Sequence, residues 1–303
     1  MQALAGFTMR GRSQAALVAS ASAVLSLLVP LFGLISGAAV ALVTLRRGLG
    51  EGALVGAAAG LASGVLAFLA LGSPLPAIGF AVALWLPVWI LGVVLRHSRS
   101  LALTVQLGAI FALVILLGVH LQSASPAAYW KGILEPMRHS LVQGGVVDAA
   151  RSETLIAEIA RWMTGAFAAA FYFQSVLALM LGRWWQALLY HPGGFGSEFR
   201  AFRVHPALGF LALGLLAVLL LQKEAMWAAE LLLVLTPLFF LQGAAVMHGL
   251  VASFGLSRAW LILFYLLLVF AMPQAEVVVA SLGLADVWVK VRAKVASRVP
   301  RKD

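Results

Sequence analysis

The chain contains no cysteine and few charged residues. None of its 303 residues is cysteine, and only 11% are Asp, Glu, Lys or Arg. The absence of cysteine excludes disulfides, thiolate metal sites and cysteine nucleophiles. The scarcity of charge excludes an ordinary soluble protein, which would need far more polar surface at this length. Apolar residues make up 63% of the chain and the mean hydropathy is +1.01, so the composition predicts a polytopic membrane protein.

Sequence motifs for catalysis and for cofactor binding are missing as well. There is no GxGxxG fingerprint and no glycine–lysine pair at P-loop spacing. The carboxylates are scattered, the histidines lack metal-ligand spacing, and no serine lies in a nucleophile elbow. We therefore expect a protein that is not an enzyme and that holds neither a cofactor nor a metal.

The basic residues lie where apolar segments end. If the segments cross a bilayer in turn, 16 of the 21 basic residues fall on one side, which the positive-inside rule makes cytoplasmic. This predicts cytoplasmic termini, a cytoplasmic loop 183–205 and an external loop 122–161. Because these residues flank apolar spans, we assign the net charge of +10 to orientation and lipid contact, and expect no nucleic-acid partner. The clusters are Arg10/Arg12, Arg46/Arg47, Arg96/Arg99, Arg183/Arg200/Arg203, Arg258 and the tail from Lys290 to Lys302.

The apolar segments predict an all-α bundle of about eight to ten transmembrane helices, since a bilayer core of about 30 Å needs roughly 20 helical residues. Two further intervals, broken at Pro30 and Pro273, are too long for one span and short for two, so each predicts a short helical hairpin. Such hairpins either are re-entrant and form part of a site or are tilted pairs that only pack. We expect one transmembrane domain over 1–290 and a basic cytoplasmic tail over 291–303. The six predicted spans are 52–72, 77–95, 101–121, 163–182, 206–221 and 226–254.

Small residues recur every four positions in two segments. Such spacing predicts helix faces that a neighbouring backbone can approach closely, and the neighbour is either internal or another membrane protein. The residues are Gly52, Gly56, Gly60 and Gly64 in one segment and Ala15, Ala19 and Ala23 in the other.

The external loop 122–161 predicts two amphipathic helices separated by Gly144-Gly145, the second of them capped by Ser152. They are expected either to lie in the membrane interface or to form a lid over a cavity.

The cytoplasmic loop combines a glycine run with Glu198, Arg200 and Arg203. Arginine binds carboxylate or phosphate in two-point geometry, so the loop is either a docking or gating element or an ordinary connector whose glutamate pairs with a nearby arginine.

Polar and aromatic residues within the spans supply the candidate substrate-binding residues. Trp85 and Trp89 share a helix face around Pro87, while Gln242 and His248 lie deep in a span that contains Pro237. Packing and interhelical hydrogen bonding are the alternative roles. Asp286 precedes Lys290 by four residues, a spacing that predicts a helical ion pair.

Four segments resemble the YybS-like family of bacterial multi-pass membrane proteins of unknown function (domain-of-unknown-function family 2232). They are LLVPLFGLISGAAVALVTLRRG, GGFGSEFRAFRVHP, LQGAAVMHGLVASFGLSRAWLILFYLLLV and LGLADVW. The resemblance implies the bacterial cytoplasmic (inner) membrane. That family in turn resembles the substrate-binding S components of energy-coupling-factor transporters, which dock a partner through small residues spaced by four, a role that would fall on Ala15, Ala19 and Ala23 here. The chain has further C-terminal helices and no recognisable vitamin-binding motif.

These observations lead to two functional hypotheses. In the first, the protein binds an unknown small molecule or lipid within its bundle and serves as a transporter or substrate-capture subunit. In the second, it is a membrane scaffold or assembly protein that acts through helix–helix contacts with other membrane proteins or with copies of itself. In both, its immediate surrounding is the lipid bilayer.

Overall fold

The computed structural model describes residues 1–296, and throughout these residues the chain forms helices joined by short turns, with no strand. The predicted all-α fold is confirmed. The helices are α1 (Gln2–Arg10), α2 (Arg12–Leu25), α3 (Leu31–Arg47), α4 (Leu49–Leu71), α5 (Leu75–Phe80), a π-helical turn (Ala81–Trp85), α6 (Leu86–Ser98), α7 (Leu101–Gln122), α8 (Pro126–Gln143), α9 (Ala149–Tyr190), α10 (Gly194–Arg200), α11 (Pro206–Leu221), α12 (Met226–Ser253), α13 (Ala259–Phe270), α14 (Gln274–Val289) and α15 (Val291–Ala296).

Within residues 1–296, five helical segments have the length and composition of membrane spans: Leu49–Leu69, Leu75–Ser98, Leu101–Gln122, Ala149–Tyr190 and Met226–Ser253. Their outward side chains include many large apolar groups, such as Leu61 and Leu69, which are 75% and 76% exposed. Side chains of this kind suit lipid, and a helix satisfies its own backbone hydrogen bonds there. The protein therefore has the construction of a multi-pass helical membrane protein.

The chain groups into two compact units. Unit 1 consists of Met1–Gly108 and Phe173–Arg203, and unit 2 consists of Ala109–Tyr172 and the described residues from Val204 onward. Helices α1 to α6 belong to unit 1 and α11 to α15 to unit 2, with α7 and α9 each contributing to both. The single transmembrane domain over 1–290 stays a prediction.

The two predicted hairpins are present. Pro30 follows the turn that ends α2, and Pro273 lies between α13 and α14, so in both cases the helix ends close to the residue that cannot continue it. The α2–α3 hairpin is tied together where the Ser36 hydroxyl donates to the Ala19 carbonyl at 2.7 Å.

The predicted external loop needs one correction. Helix α8 ends before Gly144-Gly145 as expected, but the second amphipathic helix is not separate from the next span. The helix begins at Ala149 and runs for 42 residues to Tyr190. Asp148 caps it by accepting from the Arg151 N–H at 2.8 Å, while Ser152 lies inside the first turn and donates to the Ala149 carbonyl. Asp148, four residues before the expected cap Ser152, is as good a cap as Ser, and no proline interrupts the helix that follows.

Unit 1 is packed through small residues. Ala15, Ala19 and Ala23 of α2 are fully buried, as are Ala38 and Ala39 of α3. Close packing of small side chains supplies the van der Waals contact that holds helices together in lipid, where the hydrophobic effect contributes little.

Unit 2 contains a buried polar network that joins α12 to the C-terminal helices. Asp286 accepts from Arg292 at 2.8 Å and from the Gln242 amide at 3.2 Å. Its other oxygen accepts from the Val291 N–H at 2.8 Å. The predicted Asp286–Lys290 pair is therefore wrong, because Lys290 has left-handed backbone geometry (φ 52°) that ends α14 and lets α15 bring Arg292 back to the carboxylate. The predicted tail 291–303 thus begins as a packed helix, and residues 297–303 lie outside the described part of the chain.

Candidate functional site

The glycine ladder of α4 is packed at one end only. A Cβ added to Gly52 would overlap the Thr44 hydroxyl of α3. At Gly56 an added Cβ would meet nothing within 4 Å, and at Gly60 and Gly64 it would have its nearest neighbours at 3.6 Å, the Trp85 ring and the Ala77 side chain. The ladder is a close helix contact at Gly52 and the floor of a groove beyond it.

The opposite wall of this groove is built around an irregular turn. Pro87 has no N–H to donate to the Ala83 carbonyl, and its ring would clash with a regular helical turn before it. The chain responds with a π-helical turn, in which the Leu86 N–H donates to the Ala81 carbonyl five residues earlier. Such insertions are frequent at functional sites, and this one places Trp85 and Trp89 beside the ladder.

The indoles of Trp85 and Trp89 are fixed in place by their own hydrogen bonds. Trp85 Nε1 donates to the Ser36 hydroxyl at 2.9 Å, and Trp89 Nε1 donates to the Leu49 carbonyl at 3.0 Å. With both N–H groups paired, the rings present their apolar faces. The predicted pair of substrate-binding tryptophans therefore lines one groove within unit 1.

The groove is large enough for part of an acyl chain or for a small molecule. Its section beside the tryptophans has a volume of about 280 Å³ and is lined by Val40, Gly52, Gly56, Gly60, Trp85 and Trp89 among others. A second section of about 720 Å³ shares Ala57, Gly60 and Ala81 with it and extends past Gly64 to Phe68 and Ile78. We call both sections together the glycine groove.

The other two predicted substrate-binding residues belong to unit 2, where they make internal hydrogen bonds. Gln242 is 1% exposed and accepts from the Val204 N–H at 2.6 Å in addition to its bond with Asp286. His248 Nε2 lies 2.9 Å from the Tyr265 hydroxyl. Both therefore have the interhelical bonding that the sequence leaves open as the alternative.

In the predicted cytoplasmic loop, Glu198 pairs with Arg183, which is the glutamate–arginine pair expected of an ordinary connector. Glu198 Oε2 lies 2.9 Å from an Arg183 guanidinium nitrogen, and each side chain is 22% exposed. Burial raises the pKa of Glu198, and the attraction of Arg183 only partly offsets this rise. Arg200 and Arg203, the other two predicted docking or gating residues, are exposed.

The same region contains a polar cavity that sequence reasoning misses. It has a volume of about 670 Å³ and brings Arg183 and Glu198 together with Arg46, Arg96, Arg99 and His191. We call it the arginine cavity. The positive-inside pattern predicts that these arginines lie at the same membrane surface, but it does not predict that the helix ends meet.

The alanine stripe of α2 has no exposed surface. Ala15, Ala19 and Ala23 are 0% exposed within unit 1, where α2 packs on α3 and α4. The docking role that the resemblance implies for this stripe would need the chain's own helices to separate first.

No protein-family model, curated protein or solved structure matches the chain. The resemblance to the YybS-like family accordingly remains a prediction based on the quoted motifs.

Proposed function

We propose that the protein is an integral membrane protein with cytoplasmic termini that binds a lipid or another apolar small molecule in the glycine groove, as a transporter or substrate-capture subunit. One observation carries this proposal: most of the glycine ladder lines an open groove and not a helix contact. Glycine has no side chain, yet α4 remains helical through the four glycines of the ladder, so the ladder leaves space at the surface of a predicted span.

The chemistry of the groove favours an apolar occupant. None of the described residues that line its two sections carries a charge. The Trp85 and Trp89 N–H groups are already paired, so a polar ligand would lose hydrogen bonds to water without gaining replacements there. Flat aromatic faces and small aliphatic walls give an acyl chain or a compact hydrophobic molecule extensive van der Waals contact.

Transport or capture fits the way the groove is exposed. It is open along the outer face of α4, so an apolar molecule can enter from the bilayer without separating helices. The sequence has no nucleotide-binding motif, so movement of the molecule would depend on an ion gradient or on a partner ATPase.

The proposal is tested by filling the groove. Gly56→Leu and Gly60→Leu place a side chain in it, whereas Ala58→Leu adds the same side chain at an exposed position of α4 outside the groove. Native mass spectrometry of each purified variant, combined with extraction and identification of co-purified molecules, should show a bound apolar molecule that both groove variants lose and the control keeps. The same bound molecules in all three variants would refute the proposal.

A second candidate function, a membrane scaffold, has one observation in its favour. Because nothing lies within 4 Å of a Cβ at Gly56, the ladder could accept the backbone of another transmembrane helix. Because the chain has no cysteine, a single introduced cysteine can distinguish the two functions. Ala57→Cys, at the groove edge, should be protected from maleimide by a co-purified small molecule in the first case. In the second it should cross-link to another protein or to a second copy.

A further inference from the structure

The arginine cavity forms where the C-terminal ends of three helices meet within unit 1. Arg46 comes from the last turn of α3, Arg96 and Arg99 from the end of α6, and Arg183 from the last two turns of α9. Helix C-termini carry partial negative charge, which explains part of this accumulation. Arg96, for example, donates to the Leu45 carbonyl at 2.6 Å.

The partial negative charge of the helix C-termini does not account for all the arginines of this cavity. The cavity collects four guanidinium groups and a single carboxylate, that of Glu198. Among residues 1–296, Arg46, Arg96 and Arg99 have no carboxylate within 4.0 Å. Arg46 lies over the Tyr190 ring at 4.2 Å, an arrangement that holds the guanidinium in position and leaves its charge uncompensated.

The loop after α9 is built to bring Glu198 into this cavity. Gly193 has φ 84°, a left-handed conformation that turns the chain back, and a Cβ on Gly194 would overlap the His191 ring. The glycine run therefore permits the sharp return that starts α10 and sets Glu198 against Arg183. The carboxylate occupies the place that an external anion would take on that arginine.

We propose that the arginine cavity binds a phosphate group at the cytoplasmic membrane surface, and that Glu198 occupies Arg183 when no phosphate is bound. Within the described residues, three of the guanidiniums lack a carboxylate partner, and one carboxylate ligand could neutralise only one of them. A phosphate monoester, by contrast, carries a charge of about −1.5 to −2 and three acceptor oxygens. Planar guanidiniums bind such oxygens with paired, charge-assisted hydrogen bonds. The phosphate belongs either to a lipid headgroup or to a soluble molecule, and the site is independent of what the glycine groove binds.

The test compares two phosphate sources on the purified full chain. Inorganic phosphate is titrated calorimetrically in neutral detergent. Retention of phosphatidic acid against phosphatidylcholine is measured by native mass spectrometry from mixed-lipid nanodiscs. Binding of inorganic phosphate identifies a soluble phosphate, and selective retention of phosphatidic acid alone identifies a headgroup.

Four variants give the expected pattern. Arg99→Gln should weaken phosphate binding about tenfold, and Arg99→Lys should restore it only in part because lysine lacks the planar fork. Glu198→Gln should strengthen binding, because the anion then has no internal competitor for Arg183. Arg258→Gln, an exposed residue of unit 2, makes the same charge change outside the cavity and should have no effect.

Two results would overturn the proposal: no binding of either probe to the wild type, or equal binding by the wild type and the Arg99 and Glu198 variants. Melting temperatures show that each variant is folded, and Arg99→Lys keeps the test valid if Arg99→Gln is unstable. If Gly56→Leu loses the apolar molecule but still binds phosphate, the arginine cavity acts independently of the glycine groove.

Discussion

The backbone of Gly283 lies directly against the backbone of Phe239. A Cβ on Gly283 would overlap the Phe239 carbonyl oxygen and would lie 2.8 Å from its carbon and 2.7 Å from the Gly243 nitrogen. At Gly243, in turn, an added Cβ would overlap the Val279 carbonyl oxygen. Helices α12 and α14 therefore cross with their main chains in contact, which the two glycines permit.

This crossing predicts that Gly283→Ala is strongly destabilising. The new methyl group meets backbone that cannot rotate away, so the helices must separate and lose packing along their length. We expect a loss of about 1–3 kcal/mol or more, visible as a lower melting temperature in detergent.

Gly214→Ala is the matched control for this prediction, because it lies in α11 of the same unit and its added Cβ would meet nothing within 4 Å. Alanine favours a helix over glycine at both positions. Equal melting temperatures for the two variants would show that the backbones do not touch.

The sequence predicts the elements of this fold better than their contacts. Local signals set helix ends: Pro30 and Pro273 break the hairpins, and Gly144-Gly145 ends α8. Ser152 misleads because Asp148, four residues before it, is an equivalent cap, so two possible helix starts compete and the sequence alone does not rank them.

Long-range contacts decide the parts that the sequence leaves undetermined. Spacing by four gives Gly52 and Gly56 the same predicted role. Only the placement of α3, α5 and α6 shows that a Cβ at Gly52 would overlap Thr44 whereas Gly56 faces an open groove. Asp286 has a plausible partner at Lys290, yet the left-handed end of α14 gives it Arg292. The arginine cavity depends on three helix ends that are far apart in the chain, so no local pattern predicts it.

The buried Asp286 network gives a second prediction. Asp286→Asn leaves Arg292 buried without its counter-charge, and removing one member of such a pair costs about 3–5 kcal/mol. Lys290→Gln should be nearly silent, because the structure gives that side chain no role in the network. Unfolding monitored by tryptophan fluorescence measures both variants. A larger loss in Lys290→Gln than in Asp286→Asn would support the pair expected from sequence spacing instead.

The third prediction concerns orientation across the membrane. The basic clusters predict that the external loop 122–161 lies on one side of the membrane and the cytoplasmic loop 183–205 on the other. Val146→Cys and Ser197→Cys are suitable probes, since both positions are exposed and the chain has no other cysteine. In intact cells an impermeant maleimide should label Val146→Cys alone, and Ser197→Cys should react only after permeabilisation. The reverse pattern would invert the topology.

The last prediction is a pH dependence that belongs to Glu198. Burial raises its pKa in the folded state, so the folded protein holds this proton more tightly than the unfolded chain does. The associated stabilisation is fully present below the unfolded pKa and is lost as pH rises through the folded pKa. Glutamine cannot titrate, so the melting temperature of the wild type relative to Glu198→Gln should rise as pH is lowered from neutral toward 4. Arg203→Lys, on the same loop but exposed, should follow the wild type at every pH. A wild-type advantage that is constant with pH, or that grows as pH rises, would mean that the Arg183 attraction outweighs burial and that Glu198 is an ordinary ion-pair partner.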